Sequence, residues 1–427
     1  MNPKENAKIW LKHFEQNRDL MEGRVKEGIE KYRKGYCMLR FVDSKGHPLK
    51  GKKVHINQKS HDFQYGANIF MLDEFEKQED NIKYRELFKQ YFNLATVPFY
   101  WDALEPVKGK PRFGKDSEKV YRRPAPDLCV EYCEENGLKA KLHCLVYDKY
   151  APDWLPKNDM KAMEQYYEER IRQIAQRYAG RLSEFEVINE TLLEHEWKTQ
   201  SVISEKRDIV EWAFALARKY LPNETLVMNE APNVPNTAKT DYRCPYFMQV
   251  EKCLLNGASI DKLGIQFHMF TGATAANQAE YEAQVKAGND MVNPALVLKG
   301  LDIFAELGLP LEITEVTVPT FGETKDDEFL QAELIKNLYS VFFSHPAIET
   351  VVYWNTVDGY AYIAPPSENR IWNENACRGG IFRHDLSEKE SAKMIKKLFS
   401  EIWHTKTDLT TDSDGYVEFN GFYGDYC

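Results

Sequence analysis

No stretch of this chain approaches the roughly 18 consecutive apolar residues that a membrane-spanning helix needs. Its first residues, MNPKENAKIWLKHFEQ, are charged from the start and lack the apolar core of a secretory leader. A full-length product of this kind is expected in the cytoplasm, with no membrane partner. Positive charge is in deficit, 56 Lys and Arg against 66 Asp and Glu for a net charge of −10. That balance excludes nucleic acid as a main partner, because phosphate binding needs a basic surface. Eight cysteines are present (Cys37, Cys129, Cys133, Cys144, Cys244, Cys253, Cys377 and Cys427), but none forms a CxxC pair. Cys129 and Cys133 lie one helical turn apart with no second Cys/His pair near them, so they are expected to be reduced, buried thiols and not metal ligands. A Gly-rich phosphate turn after the first strand-like run is also missing, which argues against an open dinucleotide-binding sheet. The same run, FQYGANIF, has no HxH pair of the kind a metal-dependent barrel hydrolase would use. No metal and no cofactor is implied.

What the chain does have is the composition of a folded domain, 43% hydrophobic and 29% charged over 427 residues. Short apolar runs recur: DFQYGANIF (62–70), LATVPFYW (94–101), KAKLHCLVY (139–147), EFEVINE (184–190), TLVMNEA (225–231), GIQFHM (264–269), PLEITEV (310–316) and TVVYWNT (350–356). Long helical patterns follow them, such as KAMEQYYEERIRQIAQRYAG and NPALVLKGLDIFAELG, with Gly180, Gly257 and Gly308 where helix C-caps are wanted. Eight such units are the number that closes a parallel sheet into a (β/α)8 TIM barrel, an α/β fold. Residues 62–405 are assigned to this barrel. Residues 1–61 read as an amphipathic helix followed by a β-hairpin around Ser44-Lys45-Gly46. The tail, 406–427, alternates around an Asp-Gly turn and is expected to pair with the N-terminal extension as one small β module.

In such barrels reactive side chains gather at the C-terminal ends of the strands. Those ends carry His143 and Tyr147, Asn189 and Glu190, Asn229 and Glu230, Gln266 and His268, Glu315, and Trp354 with Asp358. A polar group at the end of nearly every late strand is hard to explain as packing. Glu190 and Glu315 close the fourth and seventh runs and are expected to face each other over one pocket. The period-2 rule places Leu311, Ile313 and Glu315 on one face, predicting that Glu315 tops an inward apolar column. Either Glu alone reads as a strand cap or an Arg partner. Two opposed carboxylates are what glycosidic bond cleavage needs: one donates a proton to the leaving oxygen, and the other attacks or supports the sugar carbon. A separation of about 5–5.5 Å goes with retention of configuration and about 6.5–9.5 Å with inversion.

At this point the chain resembles the family 10 glycoside hydrolases, the β-xylanase family. The resemblance rests on HDFQYGANIF, FNLATVPFYWDALEPVKGKPRF, LHCLVYDKYAPDWL, FEVINE, LVMNEA, IDKLGIQFHMF, LEITEV and VVYWNTVDGYAY, spread over nearly all of the sequence. The resemblance implies that Glu190 is the general acid/base and Glu315 the nucleophile of a retaining double displacement. It implies that Asn189 bonds the 2-hydroxyl of the sugar being cleaved, that His268 contacts the nucleophile and holds it ionised, and that His143, Gln266 and Trp354 line the same subsite. Asn229 reads either as a strand cap or as a substrate ligand, and Glu230 as either structural or functional.

The departures concern substrate grip. Family members carry a Glu-Asn and a Lys near the second strand, where this chain has Val97, Pro98 and Tyr100. The Trp usual after the third strand is Tyr147, and the one closing the eighth-strand loop aligns with Tyr362. The expected substrate is therefore β-1,4-linked xylan or a xylo-oligosaccharide, with a decorated or different β-linked oligosaccharide as the alternative. A non-catalytic carbohydrate-binding barrel is the reading from another class.

Overall fold

The computed structural model describes residues 2–193 and 201–427. Among the described residues twelve strands run in chain order: β1 (Lys34–Arg40), β2 (Lys53–Asn57), β3 (Gln64–Asn68), β4 (Leu94–Pro98), β5 (Lys139–Val146), β6 (Glu184–Asn189), β7 (Leu226–Glu230), β8 (Lys262–His268), β9 (Leu311–Thr317), β10 (Ile348–Tyr353), β11 (Lys406–Thr410) and β12 (Tyr416–Phe422). Strands β3 to β10 form a closed parallel barrel, with β10 pairing back onto β3. This is the (β/α)8 TIM barrel that eight alternating units predict. Helices that follow the strands include Gln78–Tyr91, Met160–Tyr178, Ile209–Tyr220 and Lys325–Ser344. Local chemistry fixes their ends. Asp159 caps the second of these by accepting from the Ala162 N–H, and Thr324 with Asp327 forms a reciprocal capping box on the last. Gly180, Gly257 and Gly308 stand just past helix ends in left-handed backbone, where a Cβ would be strained.

The extension pairs with the tail, but the hairpin expected within it forms little beyond its turn. The Ser44-Lys45-Gly46 turn forms, closed by Asp43 N–H to His47 O at 2.8 Å and a single bridge between Val42 and Pro48. Beyond it the arms diverge, and the expected hairpin gives way to pairing with the tail. β1 pairs antiparallel with β12, and β2 pairs antiparallel with β11. Two separate two-stranded ribbons result, so the tail supplies one partner to each arm. The N-terminal helical stretch buries Trp10 and Phe14 against the barrel helices. Arg33 reaches the carbonyls of Phe343, His345 and Ile348 at 2.6 Å each, which ties the extension to the start of β10 at the barrel's closed end.

The barrel interior is charged at its floor. Lys141 of β5 meets Glu312 of β9, a strand on the opposite side of the barrel, so Glu312 points inward. By alternation Leu311 and Ile313 then point away from the barrel axis, and the inward apolar column predicted below Glu315 does not exist. Glu315 faces inward for another reason. The β8–β9 register runs Ile265 to Ile313 and then Gln266 to Glu315, skipping Thr314. A bulge of this kind re-aims the side chain that follows it.

Candidate active site

The C-terminal ends of the barrel strands surround a cavity of about 250 Å³. Of the residues singled out in the sequence, Glu190, Glu315, His143, Tyr147, Asn189, Gln266, His268, Trp354, Tyr100 and Tyr362 all line it. Asn229 and Asp358 do not line the cavity: Asn229 lies fully buried beneath its floor, and Asp358 pairs with Lys389 at 2.6 Å.

Register explains which side chains meet. Asn189 of β6 stands opposite Asn229 of β7, and Gln266 of β8 opposite Glu315 of β9. From these pairs a continuous hydrogen-bond path joins the two carboxylates. Gln266 Nε2 donates to Glu190 Oε1 at 2.8 Å and to Asn189 Oδ1 at 3.3 Å. Asn229 Nδ2 donates to the same Asn189 Oδ1 at 2.9 Å and to Glu315 Oε1 at 3.0 Å. The Thr314 hydroxyl, 2.6 Å from Asn229 Oδ1, fixes which way that amide points. Gly264 makes the arrangement sterically possible, since a Cβ there would lie 2.5 Å from Asn229 Oδ1. With its Oδ1 taken twice, Asn189 keeps its NH2 group as a donor for the cavity.

Each carboxylate has further support. Tyr147 donates its phenol to Glu190 Oε2 at 2.5 Å, and burial raises the Tyr147 pKa so far that it remains a neutral donor. Glu190 itself sits in left-handed backbone at φ 53°, a conformation that costs a non-glycine residue about 1–3 kcal/mol and persists only when neighbours enforce it. Its N–H donates to Asn229 O at 3.1 Å. The loop beyond it is anchored by Glu230, whose Oε1 accepts from the Thr191 hydroxyl at 2.6 Å and the Leu192 N–H at 3.0 Å. Burial pushes the Glu230 carboxyl up to about 7. Glu230 is thus a buried anchor of the loop that carries Glu190, and it does not line the cavity.

His268 touches Glu315 Oε2 through Nε2 at 3.0 Å, while its Nδ1 lies 2.8 Å from the Thr317 hydroxyl. Burial lowers the imidazole to about 4, so the ring is neutral near pH 7. With Thr317 donating to Nδ1, Nε2 carries the proton and donates to Glu315. The contact expected from the family pattern is there, made by a neutral donor and not by an imidazolium. Burial drives the Glu315 carboxyl well above the usual range, opposed by His143 and by the Asn229 hydrogen bond and reinforced by the charges of Glu190 and Glu186. On His143, burial pulls the imidazole down, but the Glu186 carboxylate at 2.8 Å outweighs it and the net shift is upward. Its Nε2 meets the Tyr100 hydroxyl at 3.0 Å. His143, Cys144 and Glu186 place possible metal-ligand atoms within 4.8 Å of one another. Both nitrogens of that imidazole are already hydrogen-bonded, and burial raises the Cys144 thiol well above its ordinary value, so the set does not suit a cation.

Aromatic rings form the walls. Trp354 packs edge-on against Phe70 at 5.1 Å and His143 at 5.5 Å, and Phe270 stacks on His268 at 4.2 Å with Trp372 behind it at 5.0 Å. Tyr362 bonds the Glu368 carboxylate and lies 5.2 Å from the Lys149 ammonium. Sequence reasoning missed Phe70, Arg122, Arg123, Phe270, Trp372 and Glu374, all of which line the cavity. Most stand on connecting segments, where no strand periodicity points to them. The signal available was the Arg-Arg pair itself, set before the Pro-initiated helix Pro126–Asn136.

The sequence model of Glycosyl hydrolase family 10 matches residues 58–395. Anti-sigma-I factor RsgI6 of Acetivibrio thermocellus is 24% identical over 407 residues, covering 94% of this chain and 45% of that protein. Endo-1,4-beta-xylanase B of Thermotoga neapolitana is 23% identical over 309 residues, covering 70% of this chain and 79% of that one. The chain therefore spans less than half the length of the first of these relatives and most of the second. Among solved structures, xylanase 10B from Thermotoga petrophila RKU-1 in complex with xylobiose aligns with a TM-score of 0.60 at 20% identity, over 80% of this chain and 95% of that one.

Proposed function

Because this chain belongs to glycosyl hydrolase family 10, we propose that it hydrolyses β-1,4-linked xylan or xylo-oligosaccharides by a retaining double displacement. The observation that carries this reading is the hydrogen-bond path through Gln266, Asn189 and Asn229, which ties Glu190 and Glu315 to the edge of one cavity.

In this mechanism Glu315 attacks the anomeric carbon while Glu190 protonates the departing glycosidic oxygen. A glycosyl ester to Glu315 forms as the C–O bond to the leaving sugar breaks. Glu190, now ionised, takes a proton from water, which attacks the anomeric carbon and releases Glu315. Asn229 and His268 hold Glu315 in its attacking position, and His143 adds a positive potential that favours its ionised form. Asn189 offers its NH2 group to the 2-hydroxyl of the reacting sugar. Tyr147 and Gln266 orient Glu190. Trp354, Tyr100 and Tyr362 give the sugar rings aromatic faces and hydroxyl partners.

Binding without turnover is the second reading, favoured by a relative over 94% of this chain whose name marks it as an anti-sigma factor. Digestion of a panel of β-linked oligosaccharides, with Glu315→Gln as the control, separates the two. Cleavage of xylo-oligosaccharides by the parent and none by the variant supports hydrolysis. Intact xylo-oligosaccharides beside cleavage of another glycan would reject the xylan assignment, and equal rates for parent and variant would reject the mechanism.

A further inference from the structure

Two adjacent arginines, Arg122 and Arg123, line the cavity, and among the described residues neither guanidinium forms an ion pair with a carboxylate. Other buried arginines of this protein have their guanidinium protons taken up by backbone carbonyls. Arg170 donates to those of Leu145, Phe99 and Cys144, and Arg112 to those of Glu118, Ala103 and Arg123. Arg122 is only 7% exposed, yet its side chain has one protein acceptor, Asn355 Oδ1 at 2.8 Å. Arg123 has one as well, the Arg122 carbonyl at 3.0 Å. Glu374 reaches Arg122 only through Asn355, whose Nδ2 donates to Glu374 Oε2 at 2.6 Å, and Asp102 acts on Arg123 through charge. Two guanidinium groups placed side by side without an anion repel each other, and a buried charge left unpaired is costly.

The backbone is also strained to hold them. Arg122 adopts φ 60° and its partner Asn355 φ 61°, left-handed conformations that non-glycine residues adopt at a cost. The guanidinium of Arg123 lies over Tyr100, 3.8 Å from the ring centroid, with the Phe70 ring at 5.4 Å. Tyr100 in turn bonds His143 Nε2 at 3.0 Å. The pair therefore borders the position of the reacting sugar, on the side where this chain has Val97, Pro98 and Tyr100 in place of polar groups.

We infer that Arg122 and Arg123 form a subsite for a sugar-borne carboxylate, so that the preferred substrate contains a uronic acid at or next to the sugar being cleaved. A planar guanidinium fork matches a carboxylate bidentately, and each such charge-assisted contact is strong in a site from which water is excluded. The Tyr100 and Phe70 rings, set edge to face beside the guanidinium groups, hold the forks in place beforehand, so little ordering cost falls on binding. The carboxylate has two possible sources, a uronic acid branch on the backbone or a uronic acid within the backbone itself.

This inference rests on the hydrolase reading, and the test keeps their failures apart. With the full chain, kcat/KM is measured on two pairs and a control: a glucuronic-acid-branched xylo-oligosaccharide and its carboxyl-reduced form, a linear oligosaccharide ending in β-linked glucuronic acid and its carboxyl-reduced form, and a plain xylo-oligosaccharide of each length. One acid form should exceed its reduced counterpart by about 10- to 100-fold, and whichever does identifies the source. Arg123→Gln should collapse that ratio to within a few-fold, whereas Arg123→Lys, which keeps the charge without the fork, should retain part of it. Because a ratio on one protein is compared, a general loss of folding or rate cancels. Equal rates on acid and reduced forms by the unaltered protein would overturn the carboxylate subsite while leaving the hydrolase standing. No turnover of any of these substrates would overturn the hydrolase reading and this inference with it.

Discussion

The barrel has charge at both of its ends, arranged in opposite ways. At the floor, Lys141 contacts Glu312 and lies 3.8 Å from Glu186, while Lys262 reaches Glu184 at 2.6 Å, Glu349 at 3.0 Å and Glu312 at 3.2 Å. Each ammonium there sits among carboxylates. Burial tends to neutralise these groups, but Lys141 and Lys262 hold Glu312 below the usual carboxylate range, and burial together with Glu312 lifts Glu184 above it. At the mouth, although Arg370 pairs with Glu368 at 2.7 Å, two sets of like charges adjoin: Glu190 acts on Glu315, and Arg122 neighbours Arg123. Paired charges inside a barrel are structural, because their partners are built in. Unpaired charges around a cavity are incomplete until a substrate supplies the partner, which is why they concentrate where chemistry and recognition occur.

Stability measurements test this contrast most severely. Lys141→Met leaves Glu312 with Lys262 alone and Glu186 with His143 alone, both buried, and is expected to cost about 3–5 kcal/mol in urea unfolding. Arg123→Gln removes a stacked guanidinium with no ion pair and is expected to cost only about 1 kcal/mol. Equal costs would erase the distinction between floor and mouth.

A smaller and sharper effect concerns pH. In the proposed mechanism Glu315 must be ionised to attack, and burial raises its pKa, so it gains a proton as pH falls through that raised value. The acid limb of kcat/KM should then lie clearly above the ordinary glutamate range. A limb at about 4.3, the value of an unperturbed Glu, would mean that His143, Asn229 and His268 together cancel the effect of burial.

Much of this architecture was legible in the sequence because it obeys simple periods. Eight apolar runs alternating with helical patterns specify a closed barrel, and polar residues at successive run ends mark its mouth. Glu190 and Glu315 stood out because a carboxylate at the end of an apolar strand needs a reason. What stayed hidden depends on local breaks in period. The bulge at Thr314 turns Glu315 inward and leaves Leu311 and Ile313 outside, so alternation found the right residue by the wrong face. Asn229 looked like a strand cap or a ligand, and only the β6–β7 register reveals it as the bridge between Asn189 and Glu315. The N-terminal hairpin failed because its two arms each found a better partner over 350 residues away in the chain, a pairing that local turn chemistry cannot foresee. Arg122 and Arg123 escaped notice because a loop has no periodicity to violate.

The central claim is that Glu190 and Glu315 work on one sugar from opposite sides in two successive displacements. Following the first seconds of xylo-oligosaccharide hydrolysis by proton NMR tests it directly, since the newly freed reducing end reports its configuration before it mutarotates. A β-anomer appearing first is the predicted result, and an α-anomer appearing first would contradict the double displacement.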